Sequence, residues 1–310
     1  MNDLVRFIEE NKDLGVEPIC ATLTSAGCSI APSTFYAARN RPPSRRAVSD
    51  AVVDSRISAL RASNALNATL GSRKTWRLLN AQEPAHPVAR CTVERRMRAL
   101  GLSGVGPGRS IRTTRPARCT QQPTDLLRRD FTADAPNRRW VVDFTYVRTW
   151  SGFCYTAFVM DLYSRTVVGW SVSTVMDTSF VLSALEQAVW ARSSREGRSL
   201  KGLVHHSDHG SQYLSIRYSE RLASEGIEAS TGKVGSSYDN AAAEALNKSY
   251  KREVIWRRSW PGRDEVEKAT AQWVSWYNST RPHRANPNDM PPAIVEALYD
   301  RQSGRQPAAA

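Results

Sequence analysis

HHSDHGSQYLS, residues 205–215, and SSYDNAAAEALNKSYKRE, residues 236–253, are the two stretches from which the fold is predicted. Before the polar part of the first stretch, a short apolar run predicts a buried strand that ends in a turn at Asp208. In the second stretch a run of alanines favours a helix, for which Asp239 is a suitable N-cap and which carries Glu244. Each stretch therefore places one carboxylate on or beside a regular element.

A third carboxylate lies upstream, in WVVDFTYVRT, residues 140–149. The alternation of this segment predicts a strand in which Asp143 shares a face with two valines and a threonine. The three acids would then come from a strand, a strand end and a helix, with thirty-five residues between Asp208 and Glu244. Hard divalent cations prefer such anionic oxygen ligands, so the three acids are candidates for a metal site. The simpler alternative is that they are ordinary surface acids.

The strings VVDFTYVRTWSGFCYTAFVMDLYSRTVVGW, HHSDHGSQY and YDNAAAEALNKSYKRE resemble the three acidic motifs of the integrase core of DDE transposases, specifically the OrfB-type transposase of the insertion-sequence-three family. The resemblance covers roughly residues 16–292 and is strongest from residue 137 onward. It implies an RNase H-like α/β fold, a mixed sheet with flanking helices. It also implies that two Mg²⁺ or Mn²⁺ ions are held by the catalytic residues Asp143, Asp208 and Glu244.

The same resemblance implies what the protein acts on. Metal-bound water would cleave double-stranded DNA at the terminal inverted repeats of an insertion element, and the 3′ hydroxyl would then attack target DNA. A homo-oligomer on DNA and an upstream OrfA protein, separate or fused by frameshifting, are the implied protein partners. Two rivals stay open: a helix-turn-helix regulator whose core no longer cuts, against which the intact carboxylates count, and an RNA–DNA hybrid nuclease, which the basic N-terminal region disfavours.

The predicted helix of residues 239–253 carries an amide, a carboxylate and two ammonium groups on one face: Asn240, Glu244, Lys248 and Lys251. Asn240 and Lys248 are suited to orienting the carboxylate and meeting phosphate, although a solvated helix face explains them equally well. Lys251 matches the basic position seven residues after the family's glutamate and is the better candidate for a DNA contact.

Charge and composition favour a polyanionic partner. The net charge is +13, of which residues 1–135 hold +9. The N-terminus lacks a signal-peptide pattern and no run of 18 apolar residues occurs, so the sequence predicts a cytoplasmic, nucleoid-associated protein without a membrane partner. Five cysteines without paired spacing predict reduced thiols, not disulfides or a zinc module.

Four segments are predicted along the chain. Residues 1–102 form a helical DNA-binding region with helix-turn-helix elements, 103–136 a basic Pro/Gly-containing linker, 137–292 the catalytic core and 293–310 a tail. The second helix-turn-helix candidate presents a DNA-binding arginine face, for which a solvated helix face is the alternative; its members are Arg95, Arg96 and Arg98. The linker is equally well explained as disordered chain.

Adjacent histidines, His205 and His206, precede Asp208. Neighbouring side chains on a strand point to opposite faces, so the pair cannot chelate zinc jointly, and His206 is predicted to make a local hydrogen bond.

Overall fold

The computed structural model describes residues 2–106, 126–127, 130–208, 213, 215–231 and 240–304. The predicted N-cap Asp239 and most of the predicted linker lie outside these residues. Contacts divide the chain into two units, Met1–Ser55 and Arg56–Ala310. The predicted boundaries at residues 102, 136 and 292 stay predictions.

A mixed sheet with the strand order β3-β2-β1-β4-β5 lies at the centre of the second unit. Its strands are β1 Arg139–Thr149, β2 Gly152–Asp161, β3 Val167–Ser173, β4 Val204–Ser207 and β5 Glu228–Thr231. The first three strands are antiparallel and joined by short turns, whereas β4 runs parallel to β1 and β5 parallel to β4. The predicted mixed sheet is confirmed.

Helices cover both faces of this sheet: α7 Thr178–Val189, α8 Ile216–Ser224, α9 Ala241–Glu253, α10 Arg263–Ser279 and α11 Pro292–Gln302. Because side chains alternate along β2, Val159 joins the core under α7, while Phe158 contacts Tyr250 of α9 and Trp273 of α10 at ring-centroid distances of 5.0 and 5.6 Å. Gly169 of β3 lets α7 approach, since a Cβ there would overlap the carbonyl oxygen of Ala184.

The residues before the sheet are helical, as predicted. The helices are α1 Asn2–Glu10, α2 Val16–Ser25, α3 Pro32–Asn40, α4 Arg45–Ser63, α5 Ser72–Gln82 and α6 Arg90–Ala99. Trp76 and Asn80 of α5 donate side-chain hydrogen bonds to the carbonyl of Val88 at 2.7 and 3.0 Å, which fixes the chain entering α6. Ala89 is the N-cap of α6, and Thr92 lies in the first turn of the helix. The helix-turn-helix geometry stays a prediction.

The segment predicted as a tail begins with α11, which buried ion pairs attach to the residues that follow α7. Arg192 binds Glu296 through two contacts of 2.6 Å, and Arg198 binds Asp300 at 2.7 Å. The arginine side chains are at most 7% exposed. Residues 292–302 are therefore part of the folded unit.

Candidate active site

The parallel pairing of β1 with β4 explains why two of the predicted acids meet. Val141 lies opposite His206 in this pair. The same offset continued by two residues places Asp143 opposite Asp208, the residue directly after β4. A strand-centre carboxylate and a strand-end carboxylate are thereby side by side, although 65 positions separate them in the sequence.

Asp143 is the innermost of the acids. One carboxylate oxygen accepts the Phe144 amide at 2.8 Å and the other accepts the Asn247 side-chain amide at 2.9 Å. Burial is the largest cause that raises the pKa of Asp143, followed by the charge of Asp208; with a smaller contribution from Glu244 it reaches about 8, although both hydrogen bonds act in the opposite direction. The three predicted acids therefore act electrostatically on one another.

Glu244 lies in the first turn of α9, where its Oε2 is 2.8 Å from the ammonium group of Lys248. Among the described residues, no group of three or more His, Cys, Asp or Glu side chains is arranged to hold a metal ion. The donor set still fits a hard divalent cation in its chemistry, because it consists of carboxylates whose mutual repulsion a cation would offset.

Two asparagines attach α9 to β1. Asn240 donates to the carbonyl of Val142 at 3.0 Å, and Asn247 donates to Asp143. Asn240 therefore contacts the main chain of β1, whereas the sequence predicted that it orients Glu244. Asn247 was missed, although it is seven residues from Asn240 and so falls on the same helical face.

Lys251 lies close to the first carboxylate. Its ammonium nitrogen is 4.4 Å from the ring centroid of Tyr146, and the side chain is half-buried. Burial lowers the pKa of Lys251, while the charge of Asp143 acts in the opposite direction. Lys248 instead pairs with Glu244, so the two lysines have different surroundings.

Comparisons with known proteins show which family the chain resembles. Two sequence models of the integrase core domain match residues 133–237 and 225–292. A putative transposase for insertion sequence element IS986/IS6110 from Mycobacterium tuberculosis H37Rv is 50% identical over 281 residues, 90% of this chain and 99% of the relative. The transposase for IS629 from Shigella sonnei is 45% identical over 301 residues, 96% of each chain. The transposase InsF for IS3A from Escherichia coli K12 is 35% identical over 160 residues, 51% of this chain and 54% of the relative.

The chain belongs to the insertion-sequence-three family of transposases. Its core has the RNase H-like fold of integrase domains, and the family is one of polynucleotidyl transferases. Within the described residues, no helix is both long and apolar enough to span a membrane.

His205 and His206 of this transposase have structural roles. His206 Nδ1 is 2.9 Å from the hydroxyl of Ser230, which confirms its predicted local hydrogen bond. His205 lies on the other face, with Nε2 3.1 Å from the hydroxyl of Tyr218, and burial lowers its pKa to about 3. Both rings are therefore core groups that support the strand leading to Asp208.

The α6 arginines lie on a different element from the carboxylates. Arg95 and Arg96 are half-buried and Arg98 is exposed. Their DNA contacts, like that of Lys251, stay a prediction.

Proposed function

We propose that this chain is a DDE-type DNA transposase that cleaves a strand at the end of an insertion element and joins the resulting 3′ hydroxyl to target DNA. Asp143, Asp208 and Glu244 would hold two Mg²⁺ or Mn²⁺ ions. The observation that carries the proposal is the placement of Asp143 beside Asp208 at the β1–β4 edge, where burial first and then the charges of Asp208 and Glu244 raise the pKa of Asp143 to about 8.

When bound, the ions would stabilise the charge on the phosphoryl group and activate the attacking oxygen. The protein's own groups prepare this site. Asn247 holds the Asp143 carboxylate in one orientation by its hydrogen bond of 2.9 Å, in which Asp143 would hold a cation in its ionised form. Lys248 forms an ion pair with Glu244. If Glu244 held a cation, the ammonium group of Lys248 would be available to contact a DNA phosphate.

The DNA contacts proposed outside the carboxylates come from α6 and α9, namely Arg95, Arg96, Arg98, Lys248 and Lys251. The net charge of +13 supports a polyanionic substrate, which here is duplex DNA carrying the terminal repeats and the target duplex. We further propose that the protein works as a homo-oligomer on DNA, with an OrfA protein as partner or fusion, in the cytoplasm at the nucleoid.

The test is cleavage and strand transfer by the full chain on a labelled duplex carrying the end of its element, with Mg²⁺. The substitutions Asp143→Asn, Asp208→Asn and Glu244→Gln should each reduce product by at least roughly a thousandfold and leave DNA binding nearly intact. Asp264→Asn is the matched control, because that acid on α10 is 75% exposed. A wild-type chain that binds the duplex and never cuts it, with or without its OrfA partner, would favour the rival DNA-binding regulator.

A further inference from the structure

Two exposed aromatic side chains lie on the β1–β2 hairpin beside the carboxylates. Tyr146 is 42% exposed and Phe153 is 52% exposed. Their ring centroids are 5.8 Å apart with the planes at 82°. The contact follows from the strand register, in which Arg148 lies opposite Phe153 and Tyr146 is its diagonal neighbour. The two rings therefore support each other while leaving much of their surface in water.

Position relative to the site distinguishes these rings from other exposed aromatics. Tyr146 is three residues after Asp143 on the same strand, a separation of about 10 Å along an extended chain, and the two side chains leave the strand on opposite faces. The ammonium group of Lys251 lies 4.4 Å from its ring centroid, and Lys251 is within electrostatic reach of Asp143. Lys251 therefore connects the ring of Tyr146 with the side of the strand that carries Asp143.

An exposed ring next to a cation is suited to a nucleotide. A base stacks on an aromatic surface whatever its identity, and an ammonium group binds the adjoining phosphate. A base inside a duplex has its faces covered by its neighbours, so only an unpaired base can use such a surface. A second protein copy would also cover exposed rings, but it would not require a cation that is directed at a ring and lies within electrostatic reach of Asp143.

We infer that Tyr146 and Phe153, together with Lys251, form a stacking site for an unpaired base of the DNA strand whose phosphate lies at the carboxylates. The inference rests on the proposed function for the position of the DNA. It adds that the transposase holds the end of the element in a locally opened state, with the β1–β2 hairpin as the surface that receives the freed base.

The test measures binding by the full chain in Ca²⁺, so that cleavage is not needed for a signal. The probes are two duplexes of the same terminal sequence, one fully paired and one with mismatches next to the cleavage position, each with 2-aminopurine at the unpaired or corresponding paired base. The wild-type chain should bind the opened duplex roughly fivefold or more tightly than the paired one and quench its fluorescence. Tyr146→Ala and Phe153→Ala should lose this preference, while Tyr146→Phe keeps it.

Trp190→Ala is the matched control, since Trp190 is 58% exposed and follows α7. Thermal melting establishes that each variant is folded, and Phe153→Ala carries the test if Tyr146→Ala does not fold. Equal affinity of the wild-type chain for both duplexes overturns the inference. It is also overturned if Tyr146→Ala and Phe153→Ala lose self-association but still quench the 2-aminopurine fluorescence. Loss of cleavage in the carboxylate variants without any stacking preference in the wild type removes this inference alone. Stacking without metal-dependent cleavage removes the proposed function alone.

Discussion

Two groups of carboxylates in this molecule show how the same chemistry serves opposite purposes. At the β1–β4 edge, burial and neighbouring acids raise the pKa of Asp143 to about 8. Under α11, burial alone would raise the pKa of Glu296, but Arg192 binds it at 2.6 Å and holds the pKa below its usual value. Arg192 also binds Glu196 at 2.8 Å.

The difference separates structural from functional charge. A buried acid with an arginine in bidentate contact is satisfied, and its position is fixed. A buried acid with other acids beside it destabilises the fold as it ionises, and such an arrangement is typical of sites that bind a cation. The β1–β4 edge has this second character, whereas the α11 contact belongs to the architecture.

The largest expected effect comes from Asp143→Asn, which should change activity and stability in opposite directions. Strand transfer should fall by at least roughly a thousandfold, about 4 kcal/mol of activation free energy. The free energy of unfolding without metal should rise. The folded pKa of Asp143 lies above its unfolded value of 3.8, so its ionised form costs stability progressively as pH rises toward about 8. Urea unfolding at pH 8 in a chelator, beside a strand-transfer assay, measures both. A less stable variant would contradict the assignment of repulsion at this edge.

Glu296→Gln should have the opposite outcome. It leaves the guanidinium of Arg192, 1% exposed, with an incomplete set of partners, and the free energy of unfolding should fall by about 3 kcal/mol. Glu267→Gln is the matched control: that acid binds Arg263 at 3.0 Å, but both side chains are about 40% exposed. The control should change stability by about 0.5 kcal/mol or less. Equal effects from the two substitutions would remove the distinction between buried and surface pairs.

The two regions also differ in how much the sequence predicted. The alternation around Asp143, the strand end at Asp208 and the alanine-rich helix of Glu244 are local patterns, and each predicted an element with its acid in place. The contact between Arg192 and Glu296 joins residues 104 positions apart. No local sequence pattern indicates that these two residues pair, so the sequence alone predicts a tail after residue 292.

Within the site, the missed contact has a different cause. Helical spacing alone makes Asn240, Asn247 and Lys251 neighbours on one face, but it does not say which amide reaches the strand carboxylate. That depends on how far α9 is shifted along β1, which only the packed structure defines. Asn247 reaches Asp143, while Asn240 reaches the main chain of Val142.

A smaller effect is expected at Asp289, which binds Arg73 and Arg77 of α5 at 3.0 and 2.9 Å. Here a buried acid meets half-buried arginines, a case between the two regions compared above. Asp289→Asn should lower the free energy of unfolding by about 2 kcal/mol through loss of charge-assisted hydrogen bonds. Asparagine also tolerates the left-handed backbone at this position, where φ is 57°. Faster amide exchange in α5 would locate the loss, and unchanged exchange there would contradict it.

The smallest expected effect concerns Lys251, a cation within electrostatic reach of Asp143. The charge of Asp143 acts on Lys251, yet the ammonium group lies over the ring of Tyr146 and is left to meet a phosphate. Lys251→Ala should therefore weaken binding of the terminal duplex by about 1–2 kcal/mol, and Lys251→Arg should restore much of it.

Lys268→Ala is the matched control for Lys251→Ala, because Lys268 is an exposed cation on α10. Titrations at low and moderate salt measure the difference, since removal of one phosphate contact also reduces the slope of affinity against salt by about one unit. Suppose instead that Lys251→Ala binds the duplex as tightly as the Lys268→Ala control at both salt concentrations and cleaves it at the wild-type rate. The cation near Asp143 would then serve the packing of Tyr146, and the contrast with the Arg192 contact would be limited to the carboxylates.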